Sequence, residues 1–333
     1  MSTGTSLEVP TLERLVAAAV AAPSIHNTQP WRFRLDPATE TLQIRAAAER
    51  GLRHIDPAGR ALHVSVGCAL LNLRVAAAHF GREPVTRLLP RPDLPTLLAT
   101  VRLGGPAAHS AYASVLYDAV WRRRSSRHPF SGRPLPARVR AELTEAAQAE
   151  GVTLALPGPE ETERVLLVTR EAERRNTADA DRAAESRHWL REHVPGTRYD
   201  GLGVPESALG PQDFRDRVPM RDFGAHRHPA GLTARPYETR PVLAVLSTAH
   251  DRRTDWLRAG QALERVLLVA TVHGVRASLL HQALEWPDLR SRIGPRASGR
   301  AGHAQMVIRL GYGPEGPASP RRALPEVIAD DGH

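Results

Sequence analysis

Gly67-Cys-Ala-Leu-Leu-Asn-Leu-Arg-Val-Ala-Ala-Ala-His-Phe-Gly81 aligns without gaps on Gly260-Gln-Ala-Leu-Glu-Arg-Val-Leu-Leu-Val-Ala-Thr-Val-His-Gly274. Both stretches carry apolar residues at helical spacing, with glycines at matching ends. Downstream, Val101-Arg102-Leu103-Gly104 matches Ile308-Arg309-Leu310-Gly311, and each reads as the end of a strand. Ala/Leu-rich helices resemble one another, so neither match carries weight alone. The shared order of helix, then strand ending in Arg-Leu-Gly, points to a duplicated unit. A duplicated chain is a covalent pseudo-dimer, and its internal interface can hold a single site.

Around these two helices the pattern predicts further elements. A helix spans about Pro10–Ala22 and is stopped by Pro23 and the polar run Ser24–Gln29. Strands follow at Trp31–Leu35 and Thr41–Arg45, the long helix at about Ala61–Phe80, and a strand at Leu97–Leu103. In the second half, helices are expected at Ala111–Arg123, Pro136–Glu150, most of Glu160–Arg191 and Trp256–His273. Strands are expected at Val152–Leu156, Val242–Ser247 and Gln305–Leu310. From Val194 to Pro241 the chain is dense in Gly and Pro, the composition of a lid or binding loop.

With 41% hydrophobic and 24% charged residues, the 333-residue chain can bury a substantial core. The sole cysteine, Cys68, excludes an internal disulfide framework and any multi-cysteine metal site. No apolar run reads as a membrane helix, and the first residues lack a signal-peptide layout, so the expectation is a cytoplasmic chain without a membrane partner. The net charge of +9 comes entirely from arginine, because the sequence contains no lysine. Those charges are scattered and aromatics make up only 5%, which is poor material for a nucleic-acid platform. An anionic small ligand held by a local arginine cluster suits the composition better. The histidines show no metal-ligand spacing, so no metal is expected. Gly311-Tyr-Gly313-Pro-Glu-Gly316 satisfies GxGxxG, but its prolines leave no helix N-terminus for a pyrophosphate.

Two segments carry chemistry. In Ala22-Pro-Ser-Ile-His-Asn-Thr-Gln-Pro-Trp31-Arg-Phe33, polar side chains are bracketed by prolines that fix the backbone. Such density serves equally as a helix stop or as the polar edge of a heterocycle site. In Trp121-Arg-Arg-Arg-Ser-Ser-Arg-His-Pro-Phe130, residues Arg123, Ser125 and Arg127 alternate, so an extended backbone points them one way. Two guanidiniums and a hydroxyl on one side suit a phosphate; a solvated basic run ending a helix is the plainer reading. Arg321-Arg322 follows the last strand and can complete a phosphate clamp.

These motifs, together with the terminal "IRLGYGP…SPRRALPEV", resemble the flavin-dependent nitroreductase superfamily, above all its Acg branch of actinobacterial fused-repeat proteins. The resemblance covers nearly the whole chain. It implies an α+β fold of two fused nitroreductase-like repeats forming an intramolecular pseudo-dimer, with a lid inserted in the second. The implied division is residues 1–115 and 116–333, the lid occupying about 194–240. It implies FMN as cofactor, with Arg123, Arg124, Ser125, Arg127, Arg321 and Arg322 around phosphate and ribityl, and Ser24, His26 and Asn27 near the ring. Leu280, His281 and Gln282 fall where nitroreductases place backbone donors against the flavin N5 edge. The PSxHNTQPW segment lies only in the first repeat, and the Arg-x-Ser-x-Arg segment and terminal pair only in the second. One composite site is therefore expected, its symmetry mate lost, in a monomeric pseudo-dimer whose further dimerisation is left open. The implied activity passes electrons from NAD(P)H through FMN to a nitroaromatic, quinone or similar small acceptor. No side-chain acid or base is obligatory in that scheme, and no catalytic residue is named. The alternative implied is a weakly active protein that stores or sequesters FMN under its lid.

Overall fold

The first repeat begins with α1 (Val9–Val20), followed by β1 (Trp31–Asp36), β2 (Thr41–Ala46), α2 (Arg60–His79), β3 (Arg82–Leu88) and β4 (Leu97–Pro106). The computed structural model describes residues 9–107, 110–191, 200–223, 234–293 and 302–329, so positions 192–199 and 224–233 of the expected lid region lie outside the described residues. Trp31 and Phe33 alternate inward on β1 and are almost fully buried, as a half-buried strand requires. The four strands form an antiparallel sheet in the order β1-β2-β4-β3.

After α3 (Ala111–Arg122) the pattern repeats. α4 (Ala137–Gln148) leads into β5 (Thr153–Ala155), and an excursion follows: α5 (Pro159–Ala178), α6 (Ala180–His188), and a two-residue strand β6 (Leu190–Arg191) paired parallel with β7 (Val204–Pro205). The repeat resumes with β8 (Val242–Thr248), α7 (Arg253–Val272), β9 (Arg276–Leu279), α8 (Pro287–Arg290) and β10 (His303–Gly311), and α9 (Leu324–Val327) closes the chain. This second sheet is ordered β5-β8-β10-β9. In each sheet the strand ending in Arg-Leu-Gly lies between the second and third strands of its repeat. Two units of one topology are therefore fused in one chain.

The helices that define the repeat form the seam. Gly67 of α2 and Gly260 of α7 face each other so closely that a Cβ on Gly67 would lie 2.8 Å from the Gly260 Cα and 2.2 Å from the Leu257 carbonyl oxygen. Only glycine permits this approach. α2 is the one described helix long and apolar enough to cross a membrane, contrary to the expectation of none. Its apolar surface is spent inside the core against α1, α3 and α7. The expected division at residues 115 and 116 falls inside α3. That helix packs on both α2 and α7 and is shared by the repeats.

Two segments outside the strands extend the sheets. After α9, Ile328 bridges Phe33 at the free edge of β1, and the Ala329 amide donates to the Phe33 carbonyl at 2.7 Å. After α3, Ser125 bridges Ala277 on β9, and the Ser126 amide donates to the Ala277 carbonyl at 2.9 Å. One edge of each sheet, β1 in the first and β9 in the second, is thus covered. As expected from its prolines, Gly311-Tyr-Gly313-Pro-Glu-Gly316 opens no helix. Gly311 and Gly313 pack on Phe130, and Gly316 on the Ser125 backbone.

Candidate functional site: a basic cavity between the repeats

Between α1 and β1 the polar run folds into a 3-10 turn at Ile25–Asn27. His26, Asn27 and Gln29 all adopt left-handed φ, at 47°, 54° and 47°. Such conformations cost roughly 1–3 kcal/mol each for non-glycine residues and persist only where the surroundings over-determine them. The surroundings do so here. The Gln29 amide donates to Ser24 Oγ at 2.9 Å, the Ile25 amide donates to Ser65 Oγ at 3.1 Å, and the Arg50 guanidinium donates to the Gln29 carbonyl at 2.9 Å.

Two of these strained residues hold the segment that follows β6. Asn27 Nδ2 donates to the carbonyls of Gly201 (3.1 Å), Gly203 (2.9 Å) and Pro320 (3.1 Å), and Gln29 Nε2 donates to Gly201 at 2.6 Å. Further along, Arg127 Nη1 donates to the Ala208 carbonyl at 2.6 Å, and the Tyr237 hydroxyl lies 2.6 Å from the carbonyls of both Arg127 and Pro211. The Gly/Pro-rich segment is latched to both motifs. Gly201 and Gly210 take left-handed φ and leave no room for a Cβ against Arg321 and Arg127.

Beneath this segment lies a cavity built from both repeats. Its walls include Ser24, His26 and Asn27 from the first motif; Arg123, Arg124, Ser125 and Arg127 from the second; His281 after β9; and Arg321 from the tail. Arg123, Ser125 and Arg127 reach one cavity, and so does Arg124, which strict alternation would turn away from it. Leu280, Gln282 and Arg322 are not among the lining residues. Leu280 is core, Gln282 donates to the Pro219 carbonyl, and Arg322 pairs with Glu326 at 3.2 Å. Arg321 lines the cavity while clamping the Val20 and Ala21 carbonyls and Asn27 Oδ1. The apolar lining comes from Val64, Leu263, Leu279, Met306, Val204 and Phe223.

The electrostatics favour an anion at one end. No carboxylate pairs with Arg127 among the described residues; its guanidinium lies over the Phe223 ring at 5.3 Å. Burial, then the neighbouring Arg221, holds it down to about 10. Arg123 Nε lies 3.4 Å from Glu264, a fully buried carboxyl that desolvation pushes up to about 7 against the pull of Arg123. His26 shares the Phe223 ring contact with Arg127, and both ring nitrogens of His26 are buried without a hydrogen-bond partner. Burial, then Arg221, His281 and Arg127, keep that ring neutral, well below the usual histidine value.

Sequence reasoning missed a buried cluster behind His281. His281 Nδ1 lies 2.6 Å from Glu285 Oε1, and Glu285 also binds Arg221, Asn176 Nδ2 (2.9 Å) and Arg182 (3.6 Å). These partners come from four separate elements, and no local pattern announces them. The position related to the cavity by the repeat is closed. Cys68, which lines the cavity, aligns with Gln261, which instead accepts from Arg74 at 2.6 Å. Glu150 joins Arg74 and Arg265, each at 2.6 Å. The α4–β5 connection is only residues 149–152, against 21–30 between α1 and β1, so no polar loop can reach in.

A duplicated α+β unit enclosing one composite basic cavity defines a pseudo-dimeric nitroreductase fold. No family model matches the chain. A Mycobacterium tuberculosis protein provisionally named an NAD(P)H nitroreductase (Rv3131) is 31% identical over 323 residues, covering 96% of this chain and 91% of the relative. The M. tuberculosis protein provisionally named NAD(P)H nitroreductase acg is 29% identical over 324 residues, 95% of each chain. Among solved structures, one described as a provisional nitroreductase from Anabaena variabilis superposes with TM-score 0.50 at 11% identity, over 92% of this chain and 88% of that one. The chain belongs to the nitroreductase superfamily, in its Acg branch.

Proposed function

We propose that this chain binds one FMN in the inter-repeat cavity and passes electrons from NAD(P)H to a small acceptor such as a nitroaromatic or a quinone. The observation that carries the reading is the cavity's donor set. Buried guanidiniums, among them an anion-free Arg127, apolar side chains and an orphaned buried histidine line one cavity. That set suits a phosphate, a flat ring and a polar ring edge. Arg123, Arg124, Ser125 and Arg127 hold the phosphate end, with Arg321 positioned by the carbonyls it clamps. Ser24 and His26 lie at the ring end. Asn27 acts chiefly as the latch of the covering segment.

FMN, when bound, supplies the acceptance of hydride and its release to an acceptor. The chain's own residues bind, orient and exclude water. Arg221, whose charge bears on both His26 and His281, favours negative charge developing in the cavity. The relatives' names mention NAD(P)H, which supports the nicotinamide as donor. A second reading, FMN storage under a closed lid, is favoured by one feature: Asn27 and Gln29 hold Gly201 and Gly203 over the cavity through four hydrogen bonds.

The visible spectrum of the purified protein tests the binding claim. Flavin bands that persist through gel filtration are expected, with bleaching by NAD(P)H without oxygen and recovery with a quinone. A protein that takes up no FMN refutes the reading. One that binds FMN but is never bleached by either nicotinamide leaves storage as its role.

A further inference from the structure

His281 lines the cavity, and its ring is held from behind. Nδ1 donates to Glu285 at 2.6 Å, which leaves Nε2 as the ring nitrogen without a protein partner among the described residues. Glu285 is fixed in turn by Arg221, Asn176 and Arg182, and the Arg182 guanidinium stacks 4.0 Å from the Trp286 ring centroid. A carboxylate orients an imidazole, and the imidazole faces a water-poor cavity. This is the arrangement by which proteins position a general acid or base. Beside it, the unpartnered His26 ring lies 5.9 Å away, centroid to centroid, and packs 5.2 Å from Phe223. The cluster plays no part in the phosphate clamp or in the latch.

We propose that His281, oriented by Glu285, is the proton-transfer residue of this cavity, giving its Nε2 proton to the oxygen of the acceptor as the acceptor is reduced. The inference rests on the FMN reading above. For a quinone the balance is complete. The nicotinamide C–H bond breaks and its hydride equivalent, two electrons and one proton, reaches the quinone through the cofactor. The second proton leaves His281 Nε2, an O–H bond forms on the quinone, and water returns a proton to the imidazole. Glu285 is the positioning residue: it fixes the Nδ1–H tautomer and stabilises the imidazolium.

The charged and titratable groups facing this pair come from every side. They are Arg221 from the covering segment, Arg60 from α2, Arg182 from α6, His26 from the 3-10 turn, and the carboxyls of Glu173 on α5 and Asp56 before α2. Burial, opposed by Glu285, leaves His281 below the usual histidine value, so acceptor reduction is fastest on the acid side and slows as pH rises.

The test separates the two half-reactions by stopped flow in the FMN-loaded protein. In His281→Gln, bleaching by NAD(P)H should change less than threefold. Reoxidation by a benzoquinone should slow roughly a hundredfold and lose its pH dependence, within the span of general-acid effects. Glu285→Gln should shift the pH profile of reoxidation to lower pH. Nitrogen NMR of the imidazoles gives a readout free of turnover: His281 should carry its neutral-state proton on Nδ1 and titrate on the acid side. An Nε2–H neutral tautomer, or a His281→Gln reoxidation rate and pH profile equal to the parent's, overturns the proposal. Should Glu285→Gln fail to fold, the His281→Gln and NMR results decide alone. A protein that takes up no FMN refutes the binding reading, whereas one that binds it and keeps its pH profile without His281 refutes only this inference.

Discussion

Placing one methyl group at the seam of the two repeats should cost more than its size suggests. In Gly67→Ala the new Cβ would sit 2.2 Å from the Leu257 carbonyl oxygen and 2.8 Å from the Gly260 Cα, both backbone atoms that no rotamer can move. Ordinary contact begins near 3.4 Å, so α2 and α7 must part by about 1.2 Å at the crossing. A gap of that size forfeits a quarter to a half or more of the dispersion from facing side chains. Overpacking and lost contacts together cost about 3 kcal/mol. Replacing a helical glycine returns about 1 kcal/mol of propensity. The net is a destabilisation of about 2 kcal/mol, a fall in Tm of roughly 4 °C for a chain of this size. Gly260→Ala, whose Cβ would lie 2.0 Å from the Val64 carbonyl oxygen, should behave alike. Gly132→Ala meets nothing within 4 Å and serves as control, expected within about 0.5 kcal/mol of the parent. Urea unfolding followed by circular dichroism measures all three. A Gly67→Ala protein as stable as the control, or more so, would refute the close crossing on which the pseudo-dimer is built.

Arg127→Ala should weaken FMN binding by about 1.5–3 kcal/mol, roughly ten- to a hundredfold, with riboflavin affinity nearly unaffected; fluorescence titration with both flavins checks this, and Arg322→Ala, outside the cavity lining, should do far less. Glu264 binds its proton more tightly folded, near pH 7, than unfolded, near 4.5. Its contribution to stability is therefore greatest below pH 4.5 and is lost as pH climbs through 7, by about 3 kcal/mol. Glu264→Gln should flatten the stability–pH curve in that window, where Glu173, also raised to about 7 by burial, acts in the same direction and the buried His26, His63 and His281, all lowered, act in the opposite one. Asn27→Ala removes two side-chain hydrogen bonds from the latch, those to Gly201 and Gly203, at about 1 kcal/mol each. Hydrogen exchange at residues 201–210 should accelerate at least tenfold, and unchanged exchange would show that the segment is held elsewhere.

The duplicated architecture was legible because its signals are local and repeated. Two apolar helices with matched glycines and two strands ending in Arg-Leu-Gly mark the same positions in two sheets of one order. Two of the four edge strands, β3 and β9, were not. β3 contains Pro84 and three charged residues, and β9 is four residues long, so neither alternates cleanly. That Arg123, Ser125 and Arg127 share a cavity follows from their spacing in an extended run, whereas Arg124, out of that alternation, lines it as well. Arg322 was misplaced because spacing along the chain does not report that the chain turns after Pro320 and aims that side chain at Glu326. Asn27 was read as facing a ring, yet its amide is spent on Gly201 and Gly203, more than 170 residues away in sequence. The Glu285 cluster was invisible for the same reason. Its members, Asn176, Arg182, Arg221 and His281, form no motif and meet only through the fold.

The central claim is one composite flavin site per chain. The cavity takes Ser24, His26 and Asn27 from the first repeat and Arg123, Arg124, Ser125 and Arg127 from the second, while Arg74, Glu150 and Arg265 fill the symmetry-related position. Saturating the protein with FMN, removing the excess, denaturing, and quantifying released flavin against chain concentration measures the claim directly. The account predicts one FMN per 333-residue chain; a value near two would mean that the ion-pair cluster does not close a second site, and a value near zero would contradict the cavity assignment itself.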